Sequence, residues 1–202
     1  VHRLSTSFVL GYHGCDRSLA EAFVAGEPFK PSANDYDWLG GGVYFWESNP
    51  RRGLEFAGEL RERRRGRADA IRDPAVVGAV IDLGFCLDLA TSGGIGVLKE
   101  SFRDYRRVMG EAGAELPRNR LGRDLLLRKL DCAVLNFVHE SRARAGLQPF
   151  DSVRGVFVEG GRAFPGAGFH AKTHVQICVR DRTRIKGVFW PPGDERAVGL
   201  AA

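Results

Sequence analysis

The sequence predicts a mixed α+β domain, on three observations. Short runs of β-branched and aromatic residues, bounded by glycines, lie toward both ends of the chain. Apolar residues at helical spacing dominate the middle. Strand–helix–strand units with short loops are few, which argues against a doubly wound sheet. At 202 residues the chain fits one domain, 1–202, with a sizeable core.

Residues 1–7 form a polar lead-in. Residues 8–13 read as a first strand. Asp16 can cap a helix over 17–25 that Gly26 closes, with Leu19, Ala22 and Phe23 on one face. Residues 26–41 form a long loop rich in Pro, Ser, Asn and Asp. Unbroken loops of that length in a compact domain often carry function. Residues 42–46 make the second strand. Ser48 can cap the next helix, with Pro50 in its first turn. That helix runs to about residue 65, with Leu54, Ala57 and Leu60, or Phe56 and Leu60, facing inward.

Residues 75–83 and 85–89 read as strands. Gly93-Gly94-Ile95-Gly96 reads as a turn before a helix over 97–109. Gly113 and Pro117 separate that helix from another over 121–144. Its apolar stripe is Leu125, Leu126, Leu130, Ala133, Val134, Phe137 and Val138. His139, near the end of the stripe, reads as a packed or half-exposed histidine rather than a ligand. Residues 152–159 form a strand, 160–173 a glycine-rich loop, and 174–179 and 185–189 the last strands. Pro191-Pro192 stops the last one.

The composition is that of a soluble globular protein, placed in the cytoplasm. No apolar run approaches the roughly 20 residues a membrane helix needs, so no membrane partner is expected. The formal net charge of +5 permits an acidic or phosphate-bearing partner. Cys15, Cys86, Cys132 and Cys178 lie far apart with no C-x-x-C pair. They read as small core residues in a reducing setting, with no metal. The arginines at 62–67 read as a solvated helix end. No H-E-x-x-H, Walker loop or G-x-S-x-G motif is present.

Three residues stand out: His13, Tyr44 and Gln176, each on an expected strand beside a glycine-rich or loop segment. Singly, each has a plain structural reading: a satisfied histidine, a core tyrosine, an edge-strand amide. Together they form a pattern. Gly11-Tyr12-His13-Gly14, Gly42-Val43-Tyr44-Phe45 and His174-Val175-Gln176-Ile177-Cys178-Val179 resemble the three signature strands of the ADP-ribosyltransferases. The likeness is to the branch that includes diphtheria toxin and the poly(ADP-ribose) polymerases. Members of that branch carry a His, a Tyr and a third residue, usually Glu, on three separate strands.

The resemblance implies a split antiparallel sheet core with flanking helices and NAD as co-substrate. It gives His13 the adenosine-side ribose and the Gly14 backbone the nicotinamide carboxamide. Tyr44 would stack on the nicotinamide ring, with Phe56 on the other side. Residues 26–41 would lie over the dinucleotide and 165–173 would meet the acceptor, which His174 would help to choose. Gln176 departs from the usual Glu. An amide brings no negative charge to an oxocarbenium-like state, and charge-assisted hydrogen bonds are roughly twice as strong as neutral ones. Chain elongation is therefore disfavoured, and Glu159, ahead of Glu47, is the substitute carboxylate. The implied activity is mono-ADP-ribosyl transfer to a macromolecular acceptor, protein or nucleic acid. The implied setting is a bacterial toxin or defence effector, which would need an antitoxin or immunity protein.

Two other classes fit the sequence. Gln176 motivates a catalytically silent NAD- or ADP-ribose-binding module. The arginines at 61–67 and 118–128 motivate a basic nucleic-acid-binding domain. No aromatic residues interleave with those arginines, so they do not themselves indicate stacking on single strands.

Overall fold

A computed structural model describes residues 8–193, residue 123 excepted. The lead-in at 1–7 lies outside them. The elements in order are β1 (Phe8–Asp16), α1 (Arg17–Val24), β2 (Val43–Glu47), α2 (Pro50–Arg63), β3 (Pro74–Asp82), β4 (Cys86–Asp88), α3 (Ser92–Glu111), β5 (Asn119–Arg120), β6 (Leu127–Arg128), α4 (Lys129–Arg144), β7 (Ser152–Phe157), β8 (His174–Val179) and β9 (Ile185–Phe189). The chain is mixed α+β, as expected. Its strand pairing is mixed rather than purely antiparallel, because β4 pairs parallel to β7. The sixty-odd residues between them supply the crossover that a parallel pair requires. Contacts divide the chain into two compact units: 1–30, 45–83 and 182–202 in the first, 31–44 and 84–181 in the second.

In the first unit, β1 pairs antiparallel with β3 along its whole length, from Phe8↔Asp82 to Asp16↔Pro74. Those pairs carry β1 three residues past the expected strand end. β3 pairs in turn with β9, with an irregularity between Val80 and Ile81. On its other side β1 meets β2 only at Gly11↔Glu47 and Tyr12↔Trp46. Asp16 caps α1, its carboxylate accepting from the Ser18 N–H at 3.1 Å and from the Arg72 N–H at 2.7 Å. The cap of α2 is Asn49, which accepts from the Arg52 N–H at 3.0 Å. Ser48, expected in that place, takes φ of 51° in the left-handed region and forms the turn instead. The buried positions of these two helices are Ala20, Phe23, Arg52, Gly53 and Ala57, whereas Leu19 and Leu54 face solvent against expectation. α2 crosses β1 closely enough that a Cβ on Gly14 would lie 2.0 Å from the Gly53 carbonyl oxygen. Only glycine permits that approach.

In the second unit, β7 and β8 pair antiparallel in full register, from Ser152↔Val179 to Phe157↔His174. The core beneath them is Leu39, Leu87, Leu135, Val138, Phe150, Val153 and Cys178. Each large side chain there stabilises the fold by roughly 1.5–3 kcal/mol. The glycines at 93–96 are the first turn of α3 rather than a turn before it. Thr91 caps that helix, and Gly94 packs where a Cβ would meet the Asp88 oxygen at 2.0 Å. α4 starts at Lys129, eight residues later than its apolar pattern suggested. Leu121 and Leu125 take positive φ, Leu125 and Leu126 are exposed, and 127–128 pair with 119–120. The Asn119 side chain accepts from the Leu130 N–H at 2.9 Å at the start of the helix.

All four cysteines are free thiols, and Cys15, Cys132 and Cys178 are buried. Burial pushes the Cys15 and Cys178 thiols up to about 12, so neither is a ready thiolate. No group of residues suited to a metal ion occurs among the described residues, and no helix there is long and apolar enough to cross a membrane.

Candidate functional site

The signature residues fall in both units. His13, Gly14 and Phe56 belong to the first; Tyr44, Glu159, His174 and Gln176 belong to the second. His13, Tyr44 and Gln176 each lie inside a strand: β1, β2 and β8.

In the first unit, His13 is half-buried against Phe29, Phe45 and Phe23, with ring centroids 5.4, 5.8 and 6.0 Å away. The Phe23 and Phe29 rings stack at 4.1 Å and form one wall of that nest. The β1–β2 pairs Gly11↔Glu47 and Tyr12↔Trp46 stand just before His13 and Gly14 in β1. Phe56 packs its ring against Trp46 at 4.9 Å, and the Arg63 guanidinium lies over it at 5.7 Å. A surface hollow of about 430 Å³ lies elsewhere in this unit. It is lined by Glu21, Ala22, Val24, Ala25 and Trp190 and includes none of the signature residues.

In the second unit, Gln176 stands opposite Gly155 and His174 opposite Phe157 on one face of the β7–β8 ladder. Trp38 covers this face. A Cβ on Gly155 would come within 2.8 Å of the indole. The indole N–H donates to the Gln176 carboxamide oxygen at 2.5 Å. The Trp38 and Phe157 rings meet edge-on at 5.0 Å, and the Arg128 guanidinium sits 4.2 Å over Phe157. On the other side the His174 ring stacks on Phe157 at 5.4 Å. Its Nδ1 lies 2.6 Å from the Lys172 carbonyl oxygen, which only accepts, so Nδ1 carries a proton. The Glu159 carboxylate is 3.9 Å from that nitrogen, and both side chains are buried.

Tyr44 packs against the same core. Its hydroxyl donates to the Gly40 carbonyl at 2.8 Å and accepts from the Leu39 N–H at 2.9 Å. Burial, then the neighbouring Cys178 and Asp37, hold the phenol well above its usual range, so it remains a donor at any ordinary pH. The same stretch of loop is gripped twice more. The Asn136 side chain accepts from the Gly41 N–H at 3.3 Å, and Arg180 donates to the Gly41 carbonyl at 2.8 Å.

Trp38, Phe157 and Arg128 are the members of this cluster that the sequence did not single out. A signal for Trp38 was present: Gly155 inside a strand marks a close approach by another group. Phe157 follows from strand alternation, once His174 is set opposite it. Compared with family models, curated proteins and solved structures, the chain matches none.

Proposed function

We propose that the chain is an NAD-dependent mono-ADP-ribosyltransferase. The observation that carries this reading is Gln176. It is in β8, on the stretch that carries the resemblance, and His174 and Glu159 are in the same unit. His13 would anchor the distal ribose, the Gly14 backbone the carboxamide, and Tyr44 and Phe56 the nicotinamide ring. In the reaction the bond from ribose C1′ to the pyridinium nitrogen breaks, and its electron pair leaves with nicotinamide. An acceptor nucleophile then adds to C1′ and loses its proton. His174 would face the acceptor. Glu159 supplies the negative charge that Gln176 lacks.

The test is incubation with NAD labelled in its adenosine half, separately with RNA, DNA and lysate protein. Release of nicotinamide together with label on one of the three is the expected result. Intact NAD and no label on any acceptor would overturn the enzyme reading. One observation favours a second reading, a silent NAD-binding module: the Gln176 oxygen is already committed to Trp38. Calorimetric NAD binding without nicotinamide release would select it.

A further inference from the structure

The start of α4 goes against the residue preferences of a helix start at two successive positions. Its cap is Arg128, which makes no capping bond with its side chain, where Ser, Thr, Asp or Asn is favoured. Asn119 supplies an acceptor there instead, at 2.9 Å from the Leu130 nitrogen. The first helical residue is Lys129, a cation at the end of a helix that favours anions. Local preferences broken in this way, with a gain elsewhere, mark functional positions. The gain is in the loop before β2. The Lys129 ammonium pairs with the Asp35 carboxylate at 2.5 Å, and the Arg128 guanidinium lies 5.6 Å over the Trp38 ring.

That loop has an anchored part and a tip. Leu39 is fully buried, and Tyr44, Asn136 and Arg180 hold the backbone of residues 39–41. Residues 33–38 form a tip closed on itself. The Asp37 carboxylate accepts from the Asn34 N–H at 2.8 Å, and the Asp37 N–H donates back to the Asn34 carbonyl at 3.3 Å. At the base, Ser32 and Gly42 exchange both backbone bonds, at 2.8 and 3.0 Å. The tip's shape is therefore set by its own bonds. What ties it down is separate: Lys129 to Asp35, the Cys132 thiol to the Asn34 carbonyl at 3.5 Å, and the Trp38 indole to Gln176 at 2.5 Å. The ion pair is largely exposed, and such pairs are individually weak. The tip can lift while its internal bonds and the anchored stretch stay intact.

We infer that residues 33–38 are a gate on Gln176, closed by Trp38 and locked from α4 by Lys129. Closed, the gate fills the Gln176 oxygen with an internal donor; open, it leaves that oxygen to a ligand. On the transferase reading, on which this consequence rests, the fraction of chains with the gate open sets the rate of turnover.

The test reads gate and turnover separately. Hydrogen exchange of the Trp38 indole proton, followed by NMR in the isotope-labelled full chain and assigned as the signal missing from Trp38→Phe, reports opening without NAD. Lys129→Glu speeds that exchange by about threefold to tenfold, through loss of the pair and repulsion of Asp35. An anion at the first position suits the helix, so α4 is not weakened. Asp35→Lys added to Lys129→Glu restores the parent rate, which a general loosening would not do. Nicotinamide release from NAD rises and falls by the same factors. Exchange unchanged in Lys129→Glu, or a rise that the charge swap does not reverse, would overturn the inference. So would equal nicotinamide release in parent and Lys129→Glu while the Trp38 proton exchanges faster, and that result leaves the transferase reading standing. The expected exchange pattern with no nicotinamide release from any of the proteins upholds the gate and overturns the transferase reading.

Discussion

Tyr44→Phe separates the two jobs that Tyr44 can hold. The hydroxyl satisfies two backbone groups of the loop, the Leu39 N–H at 2.9 Å and the Gly40 carbonyl at 2.8 Å. Leu39 is fully buried, so water does not replace the lost acceptor without opening the loop. Leaving a buried backbone group unmatched costs about 1–3 kcal/mol. Some relief comes from Arg180 and Asn136, which still grip Gly41 beside it. The expected loss is therefore about 2–3 kcal/mol, well inside the ~5–15 kcal/mol of a typical domain. The ring remains, so NAD affinity stays within a few-fold of the parent. Tyr44→Leu keeps apolar volume and removes the flat aromatic face, and NAD binding is lost. Urea unfolding measures the first effect and calorimetry with NAD the second. If Tyr44→Phe lost NAD as completely as Tyr44→Leu, the hydroxyl or the loop it holds would be the binding element, not the ring. Equal affinity in all three proteins would remove Tyr44 from the site.

The other expectations concern Gln176 and His139. Gln176→Glu retains or raises nicotinamide release, since a carboxylate adds the charge that the amide lacks; loss of turnover in a folded variant contradicts the assigned role. Trp38→Phe frees the Gln176 oxygen and raises nicotinamide release, while a fall with the fold intact makes Trp38 part of the site itself. His139 is buried, neither ring nitrogen has a hydrogen-bond partner among the described residues, and burial, then Arg180 and Arg142, push its pKa to about 3. Its unfolded value is about 6.5, so its contribution is full above about pH 6.5 and falls by about 1.4 kcal/mol per unit below it, or about 2 kcal/mol by about pH 5. His139→Leu removes that acid-side loss, and urea unfolding at the two pH values reads it. Equal losses in parent and variant exclude His139 as the cause.

What the sequence showed and what it hid divide along physical lines. β8 and β9 were legible to the residue, because their β-branched runs end at a loop on one side and at turn or proline signals on the other. The Asp16 cap was legible for the same local reason. The start of α4 was not. Leu125 and Leu126 continue the helical spacing of apolar residues, but positive φ at Leu121 and Leu125 turns the chain aside, and apolar residues at those positions signal neither. The 93–96 glycines misled in the opposite direction. Glycine is a turn signal, yet Gly94 is in the helix that Thr91 caps, and it is glycine because the Asp88 carbonyl leaves no room for a Cβ. At the site, the strand positions of His13, Tyr44 and Gln176 could be read from pattern. The partners of their side chains could not, because Trp38 and Gln176 stand 138 residues apart in sequence.

The Trp38 contact bears directly on the chemistry. An indole N–H only donates, so the atom facing it on Gln176 is the oxygen. The end of the amide left for a ligand is then the NH2, a donor. A donor set against a ribose hydroxyl takes electron density from the sugar, the wrong sense for an oxocarbenium-like state. A carboxylate accepts from that hydroxyl and acts in the right sense. Turnover through Gln176 therefore requires Trp38 to release the oxygen, or a negative charge from another group. Trp38 is next to the stretch that Tyr44, Asn136 and Arg180 hold, so the loop expected to lie over NAD is the loop that occupies Gln176. A ligand that displaced the indole would convert Gln176 from donor to acceptor in the same movement. Glu159 requires no such movement. The two routes differ in which single change abolishes turnover: Gln176→Ala, which removes the acceptor oxygen at 176, for the first, and Glu159→Gln, which removes the carboxylate at 159, for the second.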